Sequence, residues 1–313
     1  MNFTITPDVP FSLAAAAAFG FGPRAAGPAP DGNGMRLAFV TDDMAHHASA
    51  HLTQDSGGTV HGDISTDADP EAAWRQVLRI LSLDRPAAGW RALGARDPVL
   101  GQLQRDHEGL RPVLFHSPYE AAAWSIISAR RYRGQAMAMH DRIAAEFGRT
   151  FTVAGAEVRA FPLPHRLLKA ESLRSVAPER VRWLHAVARA ALDGALDPAP
   201  LAGMEPDRAL AHLRELPGIG PAYATLILVR AAGVADTLTF AEPRLPEYAA
   251  HFYGLGPGPV PPAELAGIAE SWRPFRTWAA VLLRVAGDRL GLPVAASPTT
   301  SRAVGAHAVG AHA

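Results

Sequence analysis

The sequence contains no cysteine. Disulfides, Cys-ligated zinc and a four-cysteine iron–sulfur cluster are therefore excluded. Lysine is nearly absent too: Lys169 is the only one among 30 basic residues. A skew of that size reflects genomic base composition first, although arginine also suits bidentate contact with anions. There is no net charge, since 30 acidic residues match the 30 basic ones. That balance sets against tight non-specific binding to a polyanion, because such affinity comes largely from counterion release. No uncharged apolar run approaches the roughly 18 residues that a membrane helix needs. The apolar stretch at residues 11–21 follows no basic region of the kind that leads a secretory signal. A cytoplasmic protein without membrane contact is expected. Metal motifs are sparse as well. His47 and His51 are four apart and could share a helix face, but no third ligand or His-Glu-x-x-His pattern accompanies them. No metal and no cofactor is expected.

What remains is a chain of 313 residues, 48% hydrophobic, long enough for two domains and a substantial core. Residues 1–113 read as an α+β domain. Residues 35–40 and 58–64 are strand-like, with β-branched and aromatic side chains. Asp69-Pro70 is an N-cap and first-turn pair for a helix through Leu83, whose Trp74, Val77, Leu78 and Leu81 form one apolar face. A second short helix starts near Asp97-Pro98, and the Gly/Pro-rich residues 22–34 form a loop. Residues 114–292 read as all-α, with helices over 118–130, 134–147, 164–170, 178–193, 207–215, 221–232, 244–253 and 263–288. Residues 293–313 turn to small side chains, and residues 304–308 repeat as 309–313. That segment reads as a disordered tail.

The most informative segment is Leu216-Pro217-Gly218-Ile219-Gly220. Leu213 and Leu216 lie on the apolar face of the helix over 207–215. Pro217-Gly218 breaks that helix, because proline lacks an amide donor and glycine readily takes positive φ. Pro221 then stands where the first position of the next helix falls. Two helices thus meet at a tight turn whose free amides point outward at a helix N-terminus, which makes an anion site.

Three further segments accompany the turn: Ser117-Pro118-Tyr119-Glu120-Ala121 through Ile126-Ile127-Ser128, Phe161-Pro162-Leu163-Pro164, and Ala269-Glu270-Ser271-Trp272-Arg273-Pro274-Phe275-Arg276-Thr277-Trp278-Ala279. In this order and spacing they resemble the helix-hairpin-helix DNA glycosylase superfamily, and within it DNA-3-methyladenine glycosylase II. The resemblance covers roughly residues 115–290. It implies a small antiparallel sheet with helices in the N-terminal α+β domain, followed by an all-α helix-hairpin-helix glycosylase domain. It implies a monofunctional hydrolase that cleaves the N-glycosidic bond of alkylated purines, of 3-methyladenine type, in base excision repair. The partner would be double-stranded DNA containing damaged bases, and the enzyme a monomer of the bacterial cytoplasm or nucleoid. The rival reading is a non-catalytic or weakly active damaged-DNA-binding protein that uses the same hairpin.

The resemblance also carries roles to individual positions. Counting from the hairpin, and back from Tyr253-Gly254, places the family's catalytic Asp at Glu242, one methylene longer here. An anion at that point stabilises the positive charge that builds on the sugar. As a residue, Glu242 equally fits the capping of the helix over 244–253. Asp236-Thr237 looks like another glycosylase motif but comes six residues early. Leu216, Pro217, Gly218, Ile219 and Gly220, with Arg130 and Arg131, are the expected DNA contacts. Arg130 falls near the family's intercalating position, where a solvated helix-end arginine is the alternative. Trp272, Ala222 and Leu226 are the expected base pocket, Trp272 with a core role as its alternative. Ala222 stands where strand-cleaving relatives carry lysine, so no lyase activity is expected. Trp124 and Tyr119 read as core.

Overall fold

The computed structural model describes residues 1–20, 22–24, 34–238, 242 and 244–292. Four strands, β1 (Asn2–Ile5), β2 (Met35–Val40), β3 (His47–Gln54) and β4 (Val60–Thr66), form one antiparallel sheet in the order β1-β4-β3-β2. In β4 buried Val60, Gly62 and Ile64 alternate with exposed neighbours, the period-two signature of a half-buried strand. Helix α1 (Leu13–Ala18) lies between β1 and β2, and α2 (Pro70–Ile80), α3 (Ala88–Arg96) and α4 (Pro98–Asp106) follow the sheet. Trp74 of α2 rests on Gly62, where an added Cβ would come within 2.4 Å of the indole, and its ring stacks on Phe3 at 5.6 Å. Asp69 and Asp97 cap α2 and α4 as expected, each with proline in the first turn.

The second half comprises α5 (Pro118–Ser128), α6 (Arg133–Phe147), the strands β5 (Arg149–Val153) and β6 (Ala156–Ala160), then α7 (Pro164–Leu167), α8 (Pro178–Leu192), α9 (Pro198–Gly203), α10 (Pro206–Arg214), α11 (Pro221–Arg230), α12 (Leu245–Tyr253), α13 (Pro262–Glu270) and α14 (Arg276–Arg289). This half is mostly helical as expected, with three differences in detail. It also carries a hairpin of β5 and β6 that packs against β2 and β3, because Thr150, Phe151, Thr152 and Val153 favour a pleated surface. The single helix expected over 263–288 is two, divided before Pro274, which has no amide for the helical ladder. His47 and His51 lie on strand β3 rather than a helix, and the His47 Nε2 is engaged with the Phe161 carbonyl at 2.9 Å. The tail over 293–313 and most of the 22–34 loop lie outside the described residues.

Sheet and helices share one continuous core. Trp90 of α3 packs edge-on against Trp278 and Phe275 at the start of α14. Buried Arg79 of α2 donates to the Ala231 carbonyl just beyond α11 and pairs with Asp42 after β2. Buried Glu120 of α5 accepts from the Val40 amide at 3.0 Å and faces His116 Nδ1 at 2.8 Å. The ends of α5, α11 and α14 are thereby fixed relative to the sheet.

Candidate active site

Helices α10 and α11 pack as a hairpin around the turn expected from sequence. The turn closes with the Ile219 amide donating to the Leu216 carbonyl at 3.1 Å. Gly218 has φ +83°, and a Cβ there would lie 2.6 Å from the Trp183 indole of α8. Gly220 has ordinary φ and nothing within 4 Å of its Cβ position. The two glycines thus serve different ends, one enabling the turn and the other leaving its outer face open. Pro217, Gly218 and Gly220 are exposed, Leu216 is half-buried, and Ile219 points into the core. No side chain caps α11, so its first amides face outward with the positive end of the helix dipole.

The corner between α5 and α6 adjoins this hairpin. Arg131 donates to the Ile127 carbonyl, and Arg180 of α8 donates to those of Ile126 and Ala129. These arginines satisfy the carbonyl end of α5. Burial, then the charges of Arg131 and Arg130, push the Arg180 guanidinium below its ordinary value against the opposing pull of Tyr223, so all four side chains lie in one neighbourhood. Arg130 is exposed with φ +56°, and Tyr132 is 84% exposed. Tyr132 and Arg180 were not singled out from sequence. Nothing local distinguishes an exposed tyrosine from a solvated one, and Arg180 reaches α5 only through the α5–α8 contact.

Glu242 lies in a niche of about 110 Å³ between α11 and α14. From α11 come Ala222, Thr225, Leu226, Val229 and Arg230, and from α14 Thr277, Ala280, Val281 and Arg284. Each set follows the i, i+3, i+4, i+7 spacing of one helix face. Among the described residues no aromatic ring and no amine lines the niche. A larger cleft of about 460 Å³ beside α3 and α4 shares none of these residues, and the one carboxylate in its lining, Glu108, is exposed.

Charge dominates the niche. Arg244, two residues after Glu242, grips it with both arms of its guanidinium, Nε to Oε1 at 2.9 Å and Nη2 to Oε2 at 3.3 Å. Arg284 Nε stands 4.0 Å from Oε2. Asp288 ties the group together, accepting from Arg244 Nη1, Tyr248 Oη and Arg284 Nη1 at 2.9–3.1 Å. Burial alone would push Arg244 down, but Glu242 and Asp288 outweigh it and hold the guanidinium above its ordinary value. At Arg284 burial prevails over the same two carboxylates. Arg230 is pushed down by burial and then by Arg284. Three guanidiniums therefore face two carboxylates. Sequence reading missed Arg230, Arg244 and Arg284. The only linear clue was the i+7 spacing of Arg284 from Thr277.

Ala222 and Leu226 line the niche with Glu242, and Trp272 does not. It is fully buried, and its Nε1 donates at 2.8 Å to Tyr253 Oη, which in turn donates to Asp97 at 2.7 Å. That chain fastens α13 and α12 to α4, a core role. Asp236 also lies elsewhere, held by Arg276 and Arg273 at 2.7 and 3.0 Å. Helix α12 begins at Leu245 with Arg244 as its N-cap, so Glu242 precedes the cap by two residues and accepts from the Arg244 amide at 3.3 Å.

No protein-family model matches the chain, and no curated protein matches it in sequence. Solved structures do match. The 3-methyladenine DNA glycosylase from Archaeoglobus fulgidus superposes with a TM-score of 0.73 at 20% identity, over 92% of this chain and 99% of that one. The protein MBOgg1, solved with a low-affinity DNA ligand, gives 0.69 at 17% identity, over 93% and 96%. The 8-oxoguanine glycosylase/lyase from Clostridium acetobutylicum, in complex with DNA, gives 0.60 at 16% identity, over 79% and 86%. The chain has the fold of the helix-hairpin-helix DNA glycosylases, with the small antiparallel sheet leading into the helical half. Among the described residues no helix is long and apolar enough to cross a membrane.

Proposed function

We propose that this protein is a monofunctional DNA glycosylase of base excision repair, acting on a damaged base in double-stranded DNA. The observation that carries this reading is a carboxylate, Glu242, set in a niche on the helix that begins at an exposed glycine turn. The turn and the first amides of α11 hold a phosphodiester, and the α5–α6 corner with Arg130 meets the same strand. The target nucleotide leaves the stack to reach the niche. Water adds to the sugar C1′, its proton passing to Glu242 or to solvent, while the N-glycosidic bond breaks and its electron pair leaves with the base. The ionised carboxylate stabilises the sugar as positive charge develops. With Ala222 at the mouth and no amine among the described lining residues, nothing attacks the sugar covalently, so the product is an intact strand with an abasic site.

One observation favours the alternative of a non-catalytic damage-binding protein: both Glu242 oxygens are already engaged by Arg244. Incubation with duplexes carrying single damaged bases, followed by alkali, separates the two readings. A glycosylase gives alkali-dependent strand breaks and no borohydride-trapped complex. Tight binding without base release would establish the alternative, and efficient trapping would replace hydrolysis by amine catalysis.

A further inference from the structure

Resting on the glycosylase reading, one question concerns the kind of base. The resemblance implies an alkylated purine that carries positive charge. A cation in this niche would meet Glu242, whose charge Arg244 already offsets, and would stand against Arg230 and against Arg284, which Asp288 offsets only in part because it also pairs with Arg244. The balance is repulsive. The described lining also offers no ring on which a cation could be held by π attraction.

A neutral base meets the opposite balance. A ring carbonyl at its edge is an acceptor, and guanidinium nitrogens are donors only. Arg284 is set up to supply them. Among the described residues its Nη1 alone is committed to a hydrogen bond, with Asp288 at 3.1 Å. Its guanidinium lies over the Phe19 ring at 5.5 Å and is mostly buried. The niche, at about 110 Å³, accommodates an edge rather than a whole purine, so contact is made where carbonyls sit.

We propose that the niche takes a neutral, carbonyl-bearing base, a deaminated or oxidised purine, and that Arg284 is a catalytic residue that stabilises this base as it leaves. The chemistry supports the pairing. When a neutral base departs with the bond's electron pair it becomes an anion, which requires a proton or a fixed positive charge. Glu242, anionic and clamped, serves the sugar. Arg284, 4.0 Å from it, is the cation placed for the leaving group, which later takes a proton from solvent. A cationic purine leaves as a neutral molecule and gains nothing from the arginine.

Single-turnover rates on duplexes carrying hypoxanthine, 8-oxoguanine or 7-methylguanine test this with wild type, Arg284→Gln and Arg284→Lys. Wild type is expected to release one of the two neutral bases at least about tenfold faster than 7-methylguanine. Arg284→Gln is expected to shift that ratio by about 100-fold toward 7-methylguanine, the scale of one well-placed electrostatic group. Arg284→Lys keeps the charge and is expected to keep the neutral-base preference. Melting curves and duplex affinity measured on the same samples show that the variants are folded. Faster release of 7-methylguanine by wild type, or an equal loss on both classes in the folded Gln variant, would overturn the assignment. If wild type releases 7-methylguanine alone, the glycosylase reading stands and this one falls. If it releases no base from any duplex, both fall.

Discussion

At its N-terminal end α11 meets solvent with bare backbone: Pro217, Gly218 and Gly220 are exposed and no side chain caps the helix. At its other end, about 15 Å away at 1.5 Å per residue, it turns Arg230 into a niche shared with Glu242 and Arg284, to which Arg244 and Asp288 are paired. One end offers partial charges that formal charge does not count. The other concentrates full charges where water is scarce, and there each is worth more than on the surface. A chain with no net charge can therefore serve a polyanion, provided that binding and chemistry draw on different ends of one helix. Loss of charge in the niche should stop the reaction and spare binding. Blocking the turn should do the reverse.

A carboxylate with a purely structural role sets the outer limit of this contrast. Burial pushes the Glu120 carboxyl up, but His116 and the Val40 amide outweigh burial and hold it below the ordinary range. A group whose folded-state pKa is depressed contributes stability that is complete above its unfolded value, about 4.3 for glutamate, and is lost as pH falls below it. Glu120→Ala is expected to cost about 3–5 kcal/mol, the scale for breaking a buried pair, and to flatten the acid limb of a melting-temperature profile. Its rate of base release, where folded, should be unchanged. Glu242→Gln is expected to do the opposite: a loss of roughly 100-fold or more in single-turnover rate, with melting temperature and abasic-duplex affinity near wild type. A large stability loss with an unaltered rate would reduce Glu242 to the status of Glu120.

The hairpin end was readable because its causes are local. Pro217-Gly218 must break a helix wherever it occurs, and Pro70, Pro98, Pro118, Pro178 and Pro221 start helices for the same local reason. Position 242 was singled out only through the resemblance, by counting from that turn. The charges around it were not, because Arg244 and Arg284 come together only when α12 and α14 pack beside α11. Strand β3 escaped notice for a related reason. Its run of His47, Ala48, Ser49, Ala50 and His51 does alternate, but alanine is small and unbranched and favours strands weakly, so its strand form comes from neighbours β2 and β4. Trp272 shows the opposite failure. The resemblance placed it in the pocket, but the phenol of Tyr253 and the carboxylate of Asp97 draw its indole into the core.

Within the turn the two glycines separate stability from binding. Gly218→Ala forces an L-residue to φ +83° and brings Cβ within 2.6 Å of Trp183. The left-handed conformation alone costs about 1–2 kcal/mol, so the melting temperature should fall measurably, and any loss of affinity will be partly structural. This variant is expected to be the less stable of the two, checked by thermal denaturation of both. Equal melting curves would mean that the turn relaxes away from Trp183.

Gly220 is the cleaner probe of the exposed end. Its φ is ordinary and nothing lies within 4 Å of its Cβ position, so the fold does not resist a side chain there. Gly220→Asp adds a carboxylate at the N-cap of α11. Aspartate favours that position in a free helix by accepting from the first amides, and stability should hold or rise slightly. The same hydrogen bonds would occupy the amides proposed to hold a phosphodiester, and the negative charge would repel it. Affinity for a duplex should fall by about tenfold, near 1.4 kcal/mol, while Gly220→Ala should lose much less because it adds bulk without charge. Fluorescence anisotropy at two salt concentrations checks this, with thermal melts on the same samples. If Gly220→Asp binds as wild type does while remaining folded, the turn does not face DNA, and the division of labour along α11 fails at its exposed end.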